Sequence, residues 1–258
     1  MRIATWNVNG LRARLDFIRI WLEARQPDIV GLQELKVGDD EFPDAAFEDL
    51  GYEAVCHGQK GWNGVAILTR HPADTVQRGL AGQEDFGARL VSARVRGLTF
   101  ATVYCPNGKE LTHEDFPAKL AWYDDLANAW SHPPETPAVL CGDFNVVPTA
   151  LDTWRGAGGD GRIFHTVEER ERFETLRGLG LVDLYREIHP ESQAFSWWDY
   201  RGGAFHRGQG LRIDFLLGTR PVLDRVTHAE IDRDFRKKKE GLTASDHAPV
   251  IADLDWGD

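Results

Sequence analysis

An aspartate and an asparagine, Asp143 and Asn145, follow an apolar segment of the sequence. The preceding residues, 138–142, are typical of a covered strand, and strand side chains alternate between the two faces with period two. Asp143 and Asn145 are therefore predicted to share one face at the end of a strand. Because such pairs also form Asx turns that cap strands, this pair alone leaves a structural and a catalytic role open.

Polar residues meet other apolar segments in the same way. One of them, Asp214, lies between apolar neighbours, where a carboxylate needs a partner or a shifted pKa. We therefore expect several strand ends to converge on one site. The residues concerned are Asn7, Asn9, Glu34, Tyr104, Asn107, Asp143, Asn145, Asp214, Asp246 and His247.

The chemistry of this set is restrictive. Carboxylate and amide oxygens without cysteine ligands are typical of a site for Mg²⁺, with Mn²⁺ as the alternative, and Glu34 is the first candidate ligand. His247 and Asp214 form a candidate pair that would hold an imidazolium against a phosphate. Asp143 is placed to orient and deprotonate an attacking water. Together these residues predict a metal-assisted phosphoesterase.

Short strands with a few helices between them must position these side chains. Helical periodicity predicts helices over 11–25, 116–130 and 167–180. Runs rich in Val, Ile, Leu and Thr predict strands, about ten in all. We expect one α+β domain over residues 1–258, with two sheets packed face to face and helices outside. The predicted strands span 3–8, 28–34, 64–70, 89–95, 98–106, 138–146, 211–218 and 248–256.

Composition limits the possible partners and location. The 258 residues carry 30 basic and 41 acidic side chains, a net charge of −11, which argues against a generally positive surface for nucleic acid. A polyanionic partner would need a local basic face and a bound metal. Three scattered cysteines and the absence of a leader-like or membrane-spanning segment predict a soluble, cytoplasmic protein, and no helix shows a heptad seam, so we expect a monomer.

Eight segments together resemble exonuclease III, the bacterial abasic-site endonuclease family of the endonuclease/exonuclease/phosphatase superfamily. They follow one another in the family's order and at its spacing, from residue 2 to about residue 250. The combination is far more specific than any single motif. The segments are WNVNGLRAR (6–14), GLQELK (31–36), HGQKGWNGVAILTR (57–70), YCPNG (104–108), GDFNVVPTALD (142–152), FSWWDYR (195–201), GLRIDFLL (210–217) and SDHAPV (245–250).

The resemblance implies a four-layered α/β sandwich, in which two packed mixed β-sheets are flanked by helices. It implies hydrolysis of the DNA phosphodiester 5′ to an abasic site, with 3′ to 5′ exonuclease and 3′-phosphatase or phosphodiesterase activity on duplex DNA. The family pattern places metal binding on Glu34, Asn7 and Asp246. It places the attacking water at Asp143, and the phosphate at Asn145, Tyr104 and the pair of His247 with Asp214.

The resemblance also implies contacts with the substrate, which would be duplex DNA with abasic sites or blocked 3′ ends. Trp197 matches the aromatic residue that lines the pocket for the base-free sugar, with Leu211 and Ile213 as candidate wall residues. Asn107, Arg89 and Lys109 are candidate contacts with the phosphate backbone. The neighbouring Trp198 is expected to point away into the core.

Two alternatives stay open from the residues alone. A phosphoesterase for a small-molecule or lipid phosphate would keep Glu34, Asp143 and His247 but would not need the aromatic pocket. A non-catalytic DNA-binding module would need no such set of residues at all. The sequence also leaves open how many metal ions bind, and whether Asp143 or His247 is the general base.

Overall fold

The computed structural model describes residues 1–130, 132–133 and 135–257. The predicted domain of residues 1–258 also includes Ser131, Pro134 and Asp258, which lie outside the described residues. No helix in the described ranges has the length and apolarity needed to cross a bilayer.

The described residues form two six-stranded β-sheets. The first sheet contains β1 (Arg2–Asn7), β2 (Ile29–Gln33), β3 (Glu53–His57), β4 (Val65–Thr69), β11 (Val226–Ile231) and β12 (Val250–Leu254). The second contains β5 (Asp74–Arg78), β6 (Leu90–Val95), β7 (Leu98–Tyr104), β8 (Ala138–Asp143), β9 (Val182–Asp183) and β10 (Asp214–Gly218).

Both sheets are mixed and have matching layouts. Their strand orders are β11-β12-β1-β2-β4-β3 and β5-β6-β7-β8-β10-β9. In each sheet the two central strands are parallel, β1 with β2 and β7 with β8, while the other pairs are antiparallel. A parallel pair needs a crossover connection, and a long helix provides it in both cases.

Six α-helices lie within the described residues: α1 (Leu11–Arg25), α2 (Asp44–Glu48), α3 (Asp115–Ala129), α4 (Val167–Gly178), α5 (Leu184–Ile188) and α6 (Arg220–Leu223). Helix α1 buries Phe17, Trp21 and Leu22 on the outer face of the first sheet. Helices α3 and α4 cover the outer face of the second sheet, where Trp122 and Phe173 join its core. The layers are therefore helix, sheet, sheet and helix, and the predicted four-layered sandwich is confirmed.

The two sheets meet through a dry core of aliphatic side chains. The sheets lie close together at Gly31 in β2, where a Cβ atom would lie 2.6 Å from Oγ1 of Thr102 and 2.9 Å from Sγ of Cys141 in the facing sheet. Only a residue without a side chain fits there without displacing its neighbours. This contact sets the spacing of the strands whose ends carry the site.

The predicted elements are present, but one strand starts later than predicted and four strands were not predicted. Helix α1 has the predicted bounds of 11–25, whereas strand pairing near residue 211 begins later than predicted, since β10 starts at Asp214. Leu211 forms isolated bridges instead, and residues 211–213 are all buried. The strands β3, β5, β9 and β11 were not predicted.

Candidate active site

The parallel strands of both sheets deliver their carboxyl ends to one place. Asn7 ends β1, Tyr104 ends β7 and Asp143 ends β8, while Glu34 follows β2 directly. Asp214 begins the antiparallel strand β10 and lies opposite Asp143 in the register. The predicted convergence of strand ends is therefore observed, because both sheets contribute to one cluster.

Several of these residues have left-handed backbone conformations. Glu34 has a φ of 54°, Lys36 of 59°, and Asn9 and Asn145 each of 48°. Asparagine tolerates this region, but glutamate and lysine rarely occupy it. Such residues cost about 1–3 kcal/mol each and concentrate at functional sites, where the surrounding contacts hold them.

Asn7 links the two sheets at the centre of the site. Its buried amide donates to Oε1 of Glu34 at 2.8 Å and to Oδ2 of Asp143 at 2.9 Å. The amide oxygen of Asn7 accepts from the backbone N–H of Asn9 at 2.9 Å. On its outer side, Glu34 pairs with the ammonium of Lys36 at 2.9 Å. Asn7 thus holds the two carboxylates at a fixed separation.

His247 forms a buried pair with Asp214. Its Nδ1 lies 2.9 Å from Oδ2 of Asp214, which also accepts a hydrogen bond of 2.5 Å from Ser196. Burial disfavours the charged ring, but Asp214, followed by Asp143 and Asp246, outweighs burial and raises the pKa of His247 to about 10. His247 is therefore an imidazolium at neutral pH. Its other ring nitrogen, Nε2, lies 3.8 Å from Oδ2 of Asp143 and faces the site.

Asp143 is buried among other acidic groups. Burial first, and then the charge of Asp214, raises the pKa of Asp143 to about 7, although His247 and the Asn7 amide act in the opposite direction. Oxygens of Glu34 and Asp143 and a ring nitrogen of His247 lie within 4.8 Å of one another. A divalent cation between the two carboxylates would relieve their repulsion, so the donor set fits a hard metal ion. Because the raised pKa of His247 favours its charged form, the carboxylate oxygens are the atoms of this set that could hold such an ion.

Asp246 lies at the side of this cluster. One of its oxygens accepts from the side chain of Asn9 at 2.9 Å, and the other accepts from the indole N–H of Trp197 at 3.0 Å. Although burial opposes it, the charge of His247 and these hydrogen bonds lower the pKa of Asp246. Asn9 thus lies between Asp246 and the Glu34 side of the site. The structure does not bring Asp246 into the cluster of Glu34, Asp143 and His247.

The predicted phosphate-side residues form a connected group. The backbone N–H of Asn145 donates to Oδ1 of Asp143 at 2.9 Å, and its side chain donates to the carbonyl of Cys105 at 2.9 Å. The amide of Asn107 lies 3.4 Å from the side-chain oxygen of Asn145. Burial, followed by the charges of Glu34 and Asp143, raises the pKa of Tyr104 well above its ordinary value. Tyr104 is therefore a neutral hydrogen-bond donor.

A groove of about 510 Å³ opens beside this group, and Trp62, Arg89, Tyr104, Asn107 and Lys109 are among its lining residues. The guanidinium of Arg89 donates to the carbonyls of Phe86 and Tyr104 and lies 4.8 Å from the centre of the Tyr104 ring. Arg89 is thus placed to orient Tyr104. Lys109 is more exposed and pairs with Asp115 at 2.8 Å.

A small apolar cluster lies on the other side, where the ring of Trp197 is 6.5 Å from the ring of His247. Trp197 forms backbone bridges with Leu211 and His247. It packs with Phe164 against a small buried cluster of Val147, Leu211 and Ile213. Trp198 is only 1% exposed and belongs to the core, as predicted. The predicted wall residues therefore lie together within reach of the acidic site.

Three residues of the site were missed. Ser196 orients Asp214, and Ser245 donates to the carbonyl of Asn7 at 2.7 Å. Lys119 is fully buried beneath Asn145. Both serines lie in segments already quoted, but hydroxyl residues are too common to single out. Lys119 stands in a helical pattern, where a lysine normally indicates a solvated face.

The fold of this chain is shared with known proteins. The chain matches the endonuclease/exonuclease/phosphatase family over residues 4–247, and it belongs to that family. It is 37% identical to exodeoxyribonuclease III of Haemophilus influenzae over 98% of this chain and 100% of that protein. The resemblance to exonuclease III is therefore confirmed, and the protein is a nuclease of a metal-dependent family.

Solved structures give the same result. An AP endonuclease from Archaeoglobus fulgidus superimposes with a TM-score of 0.94 at 34% identity, covering 99% of this chain and 100% of that one. A 3′-5′ exonuclease from Neisseria meningitidis gives 0.93 at 38% identity with the same coverage. A 3′ phosphatase from Neisseria, bound to a product DNA hairpin, gives 0.93 at 37% identity, covering 99% and 100% of the two chains.

Proposed function

We propose that this nuclease hydrolyses the DNA phosphodiester on the 5′ side of abasic sites, with Mg²⁺ as its metal and Mn²⁺ as a substitute. It also removes nucleotides and blocking phosphates from 3′ ends. The observation that carries the proposal is the apolar cluster around Trp197, directly beside the imidazolium of His247, where we place the pocket for the sugar. A phosphoesterase for small phosphates has no need of this arrangement.

A sugar pocket lined by the apolar cluster at Trp197 would suit a nucleotide that has no base. An abasic nucleotide has no base to unstack, so turning it out of the duplex costs less than the few kcal/mol needed for an intact one. Trp197 and Leu211 form walls that exclude a nucleotide with its base by size. Because no base edge is read, we expect little sequence preference.

The residues divide the chemistry of hydrolysis between them. Asp143 takes a proton from the attacking water, a role that suits a carboxylate with a pKa of about 7. His247 places positive charge against the phosphate as negative charge develops there, and Asn145 and Tyr104 donate hydrogen bonds to it. Asp214 keeps His247 charged and correctly oriented.

Glu34 and Asn7 would hold the metal ion, with Asp246 supporting from the side through Asn9. When bound, the ion supplies charge that stabilises the phosphate oxygens. Asn107, Arg89 and Lys109 contact the DNA backbone in the groove. All of these side chains come from one chain, so we propose that a monomer is sufficient for activity. We also propose that residues 1–258 form one domain. We also propose a cytoplasmic location, which is supported by the similarity to a bacterial exodeoxyribonuclease III over nearly the whole chain.

The test uses a labelled duplex with one tetrahydrofuran abasic analogue. Wild-type protein in Mg²⁺ is expected to cut 5′ to the analogue, EDTA to abolish cutting, and Asp143→Asn to lower the rate at least about 100-fold. The matched control is Asp253→Asn, because Asp253 pairs with Arg2 at the opposite end of the sheets. This control should cut like wild type.

Two outcomes would contradict the proposal. If folded wild-type protein left the duplex intact but released phosphate from small or lipid phosphates, the substrate would be different. If the protein bound the duplex without cutting it in any metal, and Asp143→Asn changed nothing, the chain would be a binding module.

A further inference from the structure

A buried ion pair lies beneath the phosphate side of the site. Lys119 of α3 and Glu169 of α4 are each 0% exposed, and Nζ lies 2.5 Å from Oε1. Removing two charges from water is costly, and a well-packed apolar pair often gives equal or greater stability. Stability alone therefore does not explain this pair, and its other contacts are informative.

Lys119 holds the backbone of both asparagines. Its ammonium donates to the carbonyl of Asn145 at 2.7 Å and to the carbonyl of Asn107 at 3.3 Å. With Glu169, these acceptors use all three N–H groups of the ammonium. Since Asn145 has a left-handed backbone, the ammonium fixes a conformation that the chain does not favour on its own.

Glu169 holds the segment on the pocket side. Its carboxylate accepts from the backbone N–H of Phe164 at 3.1 Å, and from the N–H and hydroxyl of Thr166 at 3.1 and 2.9 Å. Phe164 packs beside Trp197, and its carbonyl accepts from the N–H of Val147 at 2.7 Å. One ion pair thus connects the phosphate-side asparagines with a wall of the sugar pocket.

We propose that Lys119 and Glu169 are positioning residues that set the phosphate-binding asparagines relative to the sugar pocket. The proposal rests on the function proposed above. Neither side chain reaches the substrate, so the pair acts through Asn145 and Phe164. A displacement of about 1 Å at a reacting group can cost about 100-fold in rate, so the pair should govern turnover more than DNA binding.

The main variant is Lys119→Met combined with Glu169→Gln. It removes both charges, nearly conserves side-chain volume and keeps a residue that suits the Thr166 capping box. We expect kcat on the tetrahydrofuran duplex to fall at least tenfold while KM stays within about threefold. Glu169→Gln alone keeps the ammonium on both carbonyls but loses one of the two oxygens that accept from Phe164 and Thr166, so kcat should fall less than in the double variant.

The control for general destabilisation is Arg2→Met. It breaks the ion pair with Asp253 at the far end of the sheets and should lower the melting temperature without changing kcat. Assays are run at a temperature where circular dichroism shows every variant folded. The duplex also carries a labelled 3′ end, so nucleotide release reports turnover even without abasic cutting.

The outcomes separate the two proposals. Wild-type protein that acts only at the 3′ end contradicts the abasic-site function, while the positioning role is still judged from 3′-end turnover. A folded double variant within threefold of wild-type kcat overturns the positioning role. So does a loss of kcat that merely follows melting temperature across all variants, or a double variant that folds at no temperature.

Discussion

Asp143 and His247 show how one buried environment fixes two protonation states. Burial raises the pKa of Asp143 to about 7, so it is largely a carboxylate just above neutral pH. Burial opposes the charge of His247, yet three nearby carboxylates, Asp214 first, raise its pKa to about 10. At a pH between these two pKa values, about 7 and about 10, Asp143 can accept a proton and His247 cannot. This difference supports the proposal that Asp143 is the general base and that His247 is a fixed positive charge.

The protonation of His247 can be tested with Asp214→Asn. The raised pKa means that the charged pair stabilises the fold fully below the ordinary value of 6.5, and that this contribution is lost as pH rises through about 10. Without the Asp214 charge, burial should dominate and the pKa should fall by several units. Imidazole ¹⁵N spectra of metal-free protein, recorded from about pH 4 to pH 11, would measure both values.

The control for this experiment is Ser196→Ala, which removes a hydrogen bond to Asp214 but leaves its charge. The pKa of His247 in this variant should stay above neutral. A wild-type His247 that is neutral at pH 8 would contradict the assignment, and the choice of general base would reopen.

At the scale of elements, sequence patterns predicted the interior strands and the long helices. The strands that they missed are β3, β5, β9 and β11, and these are the four edge strands of the two sheets. An edge strand is partly solvated and contains polar residues, as in β5, where most residues are exposed. It therefore lacks the apolar run that marks a covered strand.

The site was predictable to the extent that its residues stand at strand ends. Asp143 and Glu34 carry a signal in the sequence, because several apolar runs end in polar residues and the repetition indicates one shared site. Lys119 and Ser196 carry none, since their roles depend on contacts with residues 26 and 18 positions away in the chain. Such roles become visible only when packing is known.

The spacing of the sheets gives a prediction about Gly31. Gly31→Ala would place a methyl group within 2.6 Å of Thr102 and 2.9 Å of Cys141, so the sheets would have to separate. We expect a loss of about 1–3 kcal/mol in the free energy of unfolding, measured by urea denaturation. Gly178→Ala is the control, because its Cβ meets nothing within 4 Å at the end of α4. If both variants unfolded at the same urea concentration, close sheet packing at Gly31 would not be required.

At the scale of the whole molecule, a net charge of −11 opposes binding to DNA. Attraction must come from local groups such as Lys109 and from a bound cation. Phosphate contacts are sensitive to salt, with a slope in log K against log salt of about 0.9 per contact. The cluster of Trp197 and Leu211, proposed above to line the sugar pocket, is apolar, so its contribution should not depend on salt.

Since the phosphate contacts depend on salt and the apolar contact does not, affinity and selectivity for the abasic site should respond differently to salt. With the cleavage-deficient Asp143→Asn protein as background, fluorescence anisotropy would give affinities for abasic and intact duplexes at several KCl concentrations. Both should weaken as salt rises, while their ratio stays constant, because under the proposed function only the abasic duplex places a sugar against this cluster and both duplexes make the same phosphate contacts. Adding Trp197→Ala should bring the ratio towards one and leave the slope unchanged. Adding Lys109→Ala should lower the slope by up to about 1 and leave the ratio unchanged. A ratio that falls with salt would mean that charge, and not the apolar surface at Trp197, selects the abasic site. Selection would then have to be assigned to a basic side chain in the groove and not to Trp197.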